Sequence, residues 1–426
     1  MISDHPDNLW HHSDDADLDL PRPDGQIQTD LVVIGGGFTG CSAALAAAQS
    51  GADAVLLEGR SIGHGGSGRN VGLVNAGLWL PPDEIIAKLG EAAGTRLINA
   101  LSAAPALVFD LIAAHGIACE ATRNGTLHLA HAPSGLRDLE NRFRQGNRIG
   151  APLQLLDAAE SARRTGSDAF HGALFDPRAG TIQPLAYCRG LARAAIKAGA
   201  RLFEQAVVTQ IRHDGTHWHV TVNGHSLRAK YLLQATNAYA GPIGGAAARA
   251  FVPVHFSQFA TAPLTQTQRA RILPGGEGCW DTDLVMSSLR MDQAGRLVIG
   301  GVGNINGPGG AIHRAWAARK LAQIYPELAG QPFEQAWDGA IAMTADHIPK
   351  VVRIGPNALS VFGYSGRGIG PGTLFGQAAA RALLLGDTSA LPLGITPHYR
   401  EGLQAARTAY YEIGAIAAHA LRPLQL

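Results

Sequence analysis

The chain is 426 residues long, with 16% charged residues and a formal net charge of +1 at pH 7. This length allows two domains and a large core, and the composition excludes a disordered chain or a basic surface for nucleic acid. The four cysteines are far apart and lack Cys-x-x-Cys spacing. They therefore predict neither disulfides nor a zinc site, and they favour a reducing, cytoplasmic location.

Residues 1–29 are predicted to form a lead-in before the first strand. Aspartates precede any apolar run in this segment, which is the reverse of a secretory signal peptide. His5, His11 and His12 could suggest a metal site, but an acidic segment that contains proline is more often a simple tail. We therefore expect no metal. We also predict no transmembrane segment, because no apolar run approaches the length of a membrane span.

The most specific motif is a strand, turn, helix and strand near the start of the chain. An apolar run at 31–34 leads into Gly35, Gly37 and Gly40, and a second apolar run ends at Glu58. In a dinucleotide-binding unit these glycines allow a tight turn, the approach of a pyrophosphate, and close packing of helix on sheet. The positive end of the helix faces the phosphates, and the acidic residue binds a ribose. Neighbouring candidates for cofactor contacts are Phe38, Thr39, Gly59 and Arg60.

A second glycine-rich loop follows at 63–72. The first motif alone fits FAD or NAD, but this loop offers backbone N–H groups, a hydroxyl and a cation where the flavin half of FAD would extend. A plain surface loop is the alternative. The candidate cofactor contacts in this region are Gly66, Ser67, Gly68, Arg69, Asn70, Gly72 and Leu73.

The second half of the chain favours FAD over NAD. A strand at 201–208, a hairpin with an Asn223-Gly224 turn and a return strand at 230–237 predict a meander, which is commonly inserted in FAD-binding domains. A third glycine-rich turn at 361–372 leads into a helix at 373–385, as expected for a long ligand. The candidate contacts in these segments are Val208, Thr236, Gly363, Gly366, Gly368 and Ile369.

These elements predict an α/β, two-domain fold of the glutathione-reductase-like type. It combines a Rossmann FAD-binding domain with a β-sheet substrate domain. The FAD domain is expected to be discontinuous, and its predicted pieces are 30–81, 169–211, 228–245 and 339–426. The substrate domain is expected at 82–168 and 246–338, with a helix at 83–115 and a β-rich run at 251–301.

The sequence resembles the FAD-dependent amino-acid and amine oxidase superfamily, which includes D-amino-acid oxidase, sarcosine oxidase and glycine oxidase. The resemblance covers nearly the whole chain. Within the superfamily it is most similar to bacterial L-pipecolate oxidases, with γ-glutamylputrescine oxidoreductases more distant. The segments that carry it are GHGGSGRNVGLVNAG at 63–77, GTLHLAH at 125–131, RAGTIQP at 178–184 and SSLRMDQAGRL at 287–297.

Four residues are candidates for the chemistry next to the flavin. Arg290 ends a β-like stretch and is the first candidate to bind a substrate carboxylate, with a surface hairpin position as the alternative. Arg367 lies in the third glycine turn and is expected to contact either the substrate or the pyrophosphate. His255 is predicted to face inward, either as a proton acceptor or as a core residue. Tyr364 is expected to lie near the flavin or to serve ordinary packing.

Two departures from the superfamily weaken particular assignments. Ile341 and Ala342 stand where many relatives carry an Arg-Pro pair, which weakens a D-amino-acid or glycine substrate. Gly370 stands where the sarcosine-oxidase branch often has Lys. No cysteine matches a motif for covalent flavin attachment, so FAD is expected to be noncovalent.

The predicted function is oxidation of a C–N bond in a small amino or imino acid, with L-pipecolate as the first substrate. The alternatives are a γ-glutamylputrescine or amine oxidoreductase and a non-catalytic flavin-binding subunit of a complex. An NAD-dependent dehydrogenase is a weaker alternative. Either oxygen or a quinone is expected to reoxidise the flavin.

Overall fold

The computed structural model describes residues 8–13, 18–245 and 250–421. His5 and most aspartates of the predicted lead-in lie outside these ranges. The helices of the described residues are α1 (Leu9–His12), α2 (Phe38–Gln49), α3 (Pro82–Leu89), α4 (Glu91–His115), α5 (Pro133–Arg148), α6 (Ala158–Thr165), α7 (Pro184–Lys197), α8 (Gln266–Arg269), α9 (Gly310–Ile324), α10 (Ile369–Leu385) and α11 (Gln404–Leu421).

The strands of the described residues form two large sheets and one small two-stranded sheet. In chain order they are β1 (Ile27–Ile34), β2 (Ala54–Leu57), β3 (Leu73–Val74), β4 (Thr126–Leu129), β5 (Gln154–Leu156), β6 (Ala173–Asp176), β7 (Gly180–Thr181), β8 (Arg201–Phe203), β9 (Val208–His213), β10 (Trp218–Val222), β11 (His225–Gln234), β12 (Val252–Pro263), β13 (Gly278–Asp281), β14 (Ser287–Met291), β15 (Arg296–Val302), β16 (Phe333–Met343), β17 (Lys350–Gly355) and β18 (Ala358–Phe362).

The first large sheet is the nucleotide sheet, with the strand order β17-β18-β11-β1-β2-β8. Its centre is parallel, since β1 pairs in parallel with both β11 and β2. Neighbouring residues Val32 and Val33 of β1 belong to separate apolar clusters on the two faces of the sheet, so the central strand is covered on both sides. The predicted hairpin is confirmed, because β10 and β11 pair across the Asn223-Gly224 turn and β9 extends the meander.

The second large sheet is the substrate sheet, with the order β16-β12-β15-β14-β13-β4-β6-β5. Helices α9 and α11 pack on β12 and cover one face of the sheet. Its other face turns toward the nucleotide sheet. The structure therefore confirms the predicted α/β architecture with a Rossmann unit and a β-sheet substrate unit.

The division of the chain between the two units differs from the predicted one. Strand β6 and all of β16 belong to the substrate sheet, although the sequence predicts 169–211 for the FAD domain and an end of the substrate domain at 338. Helix α11 also packs on the substrate sheet, whereas α4 packs on α10 beside the nucleotide sheet. An apolar helix or strand can pack on either of the two sheets, and the residues with which it pairs lie far away in sequence. The sequence alone therefore does not assign these elements to one unit.

The predicted lead-in contributes to the core. Trp10 of α1 is fully buried, and its indole N–H donates to the Asn70 carbonyl oxygen at 2.9 Å. The Asn8 side chain donates to the Gly68 carbonyl oxygen at 3.1 Å. This short helix therefore packs against the second glycine-rich loop and is part of its support.

Helix α4 is long and apolar enough to cross a membrane by length and composition, contrary to the sequence prediction that no segment approaches that length. In the fold it packs between α10 and α3. Leu97, Leu101 and Val108 belong to the largest apolar cluster, together with residues of the nucleotide unit. The apolar residues of α4 thus form part of the hydrophobic core.

Candidate active site

The candidate site is a cavity of about 1110 Å³ lined by residues of both large sheets. Its lining includes the first glycine turn and the end of β2. It also includes the third glycine turn and residues of the substrate sheet. This volume is larger than that of a usual pocket for one small molecule, so it leaves room for an extended cofactor.

The first glycine turn is built for close approach of another group. A Cβ on Gly40 would lie 1.8 Å from the Gly35 carbonyl oxygen, so only glycine lets α2 pack this closely on β1. Gly35 itself has φ +110°, a conformation that favours glycine. A Cβ on Gly37 would lie 2.8 Å from the Ser67 hydroxyl, which accepts a hydrogen bond from the Phe38 N–H at 3.0 Å.

Glu58 lies at the end of β2, beside the first glycine turn. Its carboxylate accepts hydrogen bonds from the N–H groups of Gly36 at 2.7 Å and Arg60 at 2.9 Å. Burial raises the pKa of Glu58, and the neighbouring Glu204 acts in the same direction. The two backbone hydrogen bonds favour the charged form and hold the carboxylate at the cavity wall, where it can accept hydrogen bonds from ribose hydroxyls.

The second glycine-rich loop is held by its own side chains. Asn70 donates to the carbonyl oxygens of Gly66 and Ser67 and accepts from the Gly72 N–H at 2.8 Å. Arg69 is buried, and its guanidinium donates to the carbonyl oxygens of His64 and Asp338. Arg69 therefore ties the loop to β16 and does not present its charge to the cavity.

The third glycine turn follows β18 and leads into α10. The Tyr364 hydroxyl shares a hydrogen bond of 2.7 Å with the hydroxyl of Thr39 in α2, which links the third turn to the first. Burial raises the pKa of Tyr364, so the phenol stays protonated. The next residues of this turn bring Arg367 to the cavity wall.

Most of the predicted cofactor residues lie on this one cavity. Those that line it are Gly35, Gly37, Phe38, Thr39, Glu58, Gly59, Arg60, Gly66, Ser67, Asn70, Leu73, Val208, Thr236, Gly366, Gly368 and Ile369. The remaining ones do not line it and act by shaping the turns: Gly40, Gly68, Arg69, Gly72 and Gly363.

Arg290 does not occupy the position predicted for a carboxylate anchor. It is 1% exposed, and its guanidinium donates to the Ile182 carbonyl oxygen and lies 3.6 Å from the Glu120 carboxylate. The ring of Trp10 covers it at 5.1 Å. These groups separate Arg290 from the cavity, so its assignment as substrate anchor is wrong.

His255 faces away from the cavity as well. Its Nδ1 lies 2.5 Å from a carboxylate oxygen of Glu412 in α11. Side chains alternate along a strand, and the neighbouring Phe256 of β12 lines the cavity. The prediction of an inward-facing strand was right, but His255 lies on its other face, so the proposed role as proton acceptor is wrong.

Arg367 is held in a stack of aromatic side chains. Its guanidinium carbon lies 5.2 Å from the ring of Trp79 and 5.1 Å from the ring of Trp280. Trp280 in turn stacks on His128, with 4.9 Å between the ring centroids. The guanidinium donates one hydrogen bond, to the Ala76 carbonyl oxygen at 2.8 Å, while its Nε is buried without a partner.

No carboxylate of the described residues forms an ion pair with Arg367. Burial and the nearby charge of Arg142 lower the pKa of Arg367 to about 9. Burial of the His128 ring and the nearby charges of Arg142 and Arg367 lower the pKa of His128 well below its usual value. This ring is therefore neutral at pH 7. The part of the cavity lined by Arg367 and the substrate sheet, its substrate end, thus carries a cation that forms no ion pair with a described residue, although Asp176 acts on it from farther away.

Several residues at this end were not predicted. They are Trp79, His128, Arg142, Gln258 and Trp280. The alternation of β12 could have drawn attention to Gln258, since it is a polar side chain in line with the apolar Val254, Phe256 and Ala260. The other four lie on separate segments, and no local pattern connects them.

A family model described as DAO, FAD dependent oxidoreductase, matches residues 30–382. The chain belongs to the DAO family. It is 31% identical over 376 residues to the probable oxidoreductase OrdL of Rhizobium meliloti (strain 1021), covering 88% of this chain and 87% of that protein. It is 31% identical over 401 residues to the γ-glutamylputrescine oxidoreductase of Escherichia coli (strain K12), with coverage of 91% and 92%.

The DAO-family fold is also found among solved structures. The glycine oxidase of Geobacillus kaustophilus superposes with a TM-score of 0.69 at 22% identity, covering 84% of this chain and 95% of that one. This likeness shows the fold alone. None of these three relatives supports a particular closeness to L-pipecolate oxidases, so that part of the sequence prediction stays a prediction.

The cofactor of this DAO-family chain is FAD, and the cavity fits it. The glycine turn leaves space that a Cβ would fill, Glu58 offers acceptors for the ribose, and the cavity continues to the third turn. None of the four cysteines lines the cavity, in agreement with noncovalent binding. The protein is therefore a FAD-dependent oxidoreductase that acts on the C–N bond of an amine or amino acid.

Proposed function

We propose that the substrate is an amine that also carries a carboxylate, and that Arg367 binds this carboxylate. The observation that carries the proposal is the Arg367 guanidinium, which lines the cavity and has no counter-ion among the described residues. The guanidinium is half-buried and its Nε lacks a partner, and a carboxylate would neutralise the charge with charge-assisted hydrogen bonds. The two tryptophan rings fix the guanidinium plane, which favours a flat, bidentate ligand.

A γ-glutamylated amine is our first substrate within this class. Such a molecule has a free carboxylate and a separate amine, and one relative of 31% identity is named γ-glutamylputrescine oxidoreductase. L-Pipecolate is the second, on the sequence segments that resemble its oxidases. We propose oxygen or a quinone as the final electron acceptor.

When bound, FAD supplies the two-electron acceptor for oxidation of the C–N bond. The residues of this chain bind and orient the substrate and exclude water from it. Arg367 neutralises the carboxylate. His128 remains neutral beside it, and the neighbouring cation of the lining, Arg142, is paired with Asp138 at 2.7 Å. The two tryptophan rings lie against the guanidinium and restrict its movement, which helps to orient the bound carboxylate.

The test is anaerobic reduction of the bound flavin by paired substrates. γ-Glutamylputrescine is compared with N-acetylputrescine, which has the same amine and no carboxylate. We expect Arg367→Ala to lower kcat/KM for the first by roughly 10- to 150-fold, the range for hydrogen bonds to a charged group, and to leave the second nearly unchanged. Arg367→Lys should restore part of the loss, because an ammonium lacks the guanidinium fork.

A surface arginine serves as the control. Arg353→Ala changes a residue of β17 that does not line the cavity, and both substrates should react as with the wild type. If Arg367→Ala lowers kcat/KM equally for both substrates, or for neither, Arg367 does not bind the carboxylate. If no carboxylate-bearing amine reduces the wild-type flavin, the substrate class itself is wrong.

A further inference from the structure

One row of side chains crosses the cavity face of the substrate sheet. Strand pairing places each member of the row opposite the next, from β12 through β15, β14 and β13 to β4. All five members line the cavity, and in order they are Gln258, Gly300, Ser288, Trp280 and His128. The row therefore leads from β12 to the aromatic stack that holds Arg367.

Gln258 occupies the end of this row that is farther from Arg367. It is 4% exposed, and its carboxamide lies over Gly300, where any Cβ would come within 2.1 Å of Oε1. Glycine at position 300 thus makes the space in which the amide rests. The buried Oε1 has no hydrogen-bond partner.

A buried carboxamide oxygen without a partner is an unusual feature in a folded protein. An orientation that leaves the amide oxygen buried and unpaired is unfavourable, so the oxygen is better placed toward a ligand that donates a hydrogen bond to it. A half-turn about the last side-chain bond exchanges oxygen and nitrogen without breaking a hydrogen bond to any described residue. The group can therefore present an acceptor to the cavity.

We propose that Gln258 is a substrate-binding residue whose carboxamide oxygen accepts a hydrogen bond from the amine that is oxidised. This rests on the proposed function, because the other end of the same substrate is the carboxylate at Arg367. The uncharged acceptor suits a neutral amine, the form from which a hydride can leave. A carboxylate in its place would favour the unreactive ammonium form.

The row also sets the length of the substrate. Two strand spacings, about 10 Å, separate Gly300, under the carboxamide, from Trp280, against which the Arg367 guanidinium lies. In an α-amino acid or in L-pipecolate the carboxylate and the amine share one carbon atom, so such a molecule cannot reach both groups. An amine with a remote carboxylate can.

The experiment compares Gln258→Leu with a matched control, Gln335→Leu. Gln335 lies on β16 of the same sheet and does not line the cavity. We expect Gln258→Leu to lower kcat/KM at least tenfold for both γ-glutamylputrescine and N-acetylputrescine, because both present the same amine. FAD content and the flavin absorption spectrum should stay those of the wild type, and Gln335→Leu should behave as the wild type.

Two further measurements use other properties of the same site. Gln258→Glu should move the pH at which kcat rises toward higher values, because the new carboxylate stabilises the ammonium form of the bound amine. Among 4-aminobutanoate, 6-aminohexanoate, 8-aminooctanoate and L-pipecolate, flavin reduction by the wild type should be faster with the longer chains.

The proposal is overturned if Gln258→Leu leaves both substrates unaffected, or if the loss follows a weaker affinity for FAD or an altered flavin spectrum. It is also overturned if L-pipecolate is the best of the four acids. In that last case a dependence on Arg367 would still support the proposed function, so the two failures can be told apart.

Discussion

At the scale of single residues, position relative to the cavity decides what each charged group can do. Arg290 is fully buried and Arg367 is half-buried, and each lies beside an aromatic ring. Arg290 donates to a backbone carbonyl and has Glu120 close by, whereas Arg367 has no carboxylate partner among the described residues. The same residue type therefore stabilises the fold at one position and is available to a ligand at the other.

Glu58 allows a prediction at this scale. Replacing Glu58 by Ala should weaken FAD binding by about 1.5–3 kcal/mol, because the ribose loses a charged acceptor. Burial raises the pKa of this carboxyl, so the affinity for FAD should also fall as the pH drops through that raised pKa. Glu58→Gln, which does not titrate, should remove this pH dependence.

Fluorescence titration of the apoprotein with FAD measures both effects. Glu334→Ala is the control, since Glu334 is an exposed residue of β16 away from the cavity. An FAD affinity of Glu58→Ala equal to that of the wild type would mean that another group holds the ribose.

At the scale of secondary-structure elements, α11 shows how an element supports the site from behind. It packs on the face of β12 opposite the cavity, where Glu412 of α11 meets His255. His419 of α11 stacks on Trp316 of α9 with 4.0 Å between the ring centroids, and its Nδ1 lies 2.8 Å from Nδ1 of His313. A single hydrogen bond between two ring nitrogens requires that at least one ring be neutral.

This contact predicts a loss of stability in acid. Burial, with His313, Arg319 and Lys320 nearby, lowers the pKa of His419 to about 3, against a value near 6.5 in the unfolded chain. A lowered pKa in the folded state means that the neutral ring stabilises the protein above about pH 6.5 and that this stability is lost as the pH falls toward 3. Burial lowers the pKa of His313 too, while Glu412 opposes this shift.

The check is the melting temperature measured from pH 7 to pH 4. His419→Phe keeps the stack on Trp316 and removes the titrating group, so its melting temperature should fall less in acid than that of the wild type. His398→Phe changes an exposed histidine and should follow the wild type. Parallel curves for wild type and His419→Phe would exclude His419 as the source of the acid sensitivity.

At the scale of the whole molecule, the cavity joins the two large sheets. Its wall contains the first glycine turn and Glu58 on the nucleotide side, and Gln258 and Trp280 on the substrate side. A ligand that contacts both sides links the two units. Binding to the folded chain alone stabilises it by about 2.7 kcal/mol at a concentration 100 times the Kd.

We therefore expect the melting temperature of the apoprotein to rise by several degrees as FAD is added, with one unfolding transition for both units. Differential scanning calorimetry at increasing FAD concentrations measures this rise. Glu58→Ala should need a higher FAD concentration for the same rise. Two separate transitions, of which only one moves with FAD, would contradict a cofactor that links the sheets.

The sequence by itself determined the nucleotide turn, the cofactor and the fold class. Gly35, Gly37, Gly40 and Glu58 lie on one strand-turn-helix-strand unit, so short-range backbone geometry fixes their arrangement. The tertiary structure alone decided the substrate end of the cavity. Its members come from separate segments: Trp79, His128, Gln258, Trp280 and Arg367.

Two features of the fold explain why the sequence did not determine the substrate end. Side chains alternate between the two faces of a strand, and segments distant in sequence decide which face they cover. Period-two alternation predicted that β12 has an inner face, but the packing of α11 determined that His255 points outward and Gln258 inward. On β14, Ser288 lines the cavity, while the groups around Ile182 and Trp10 cover Arg290 farther along the same strand. Neither the covering segments nor the packing helix is close in sequence, so no local pattern could assign these faces.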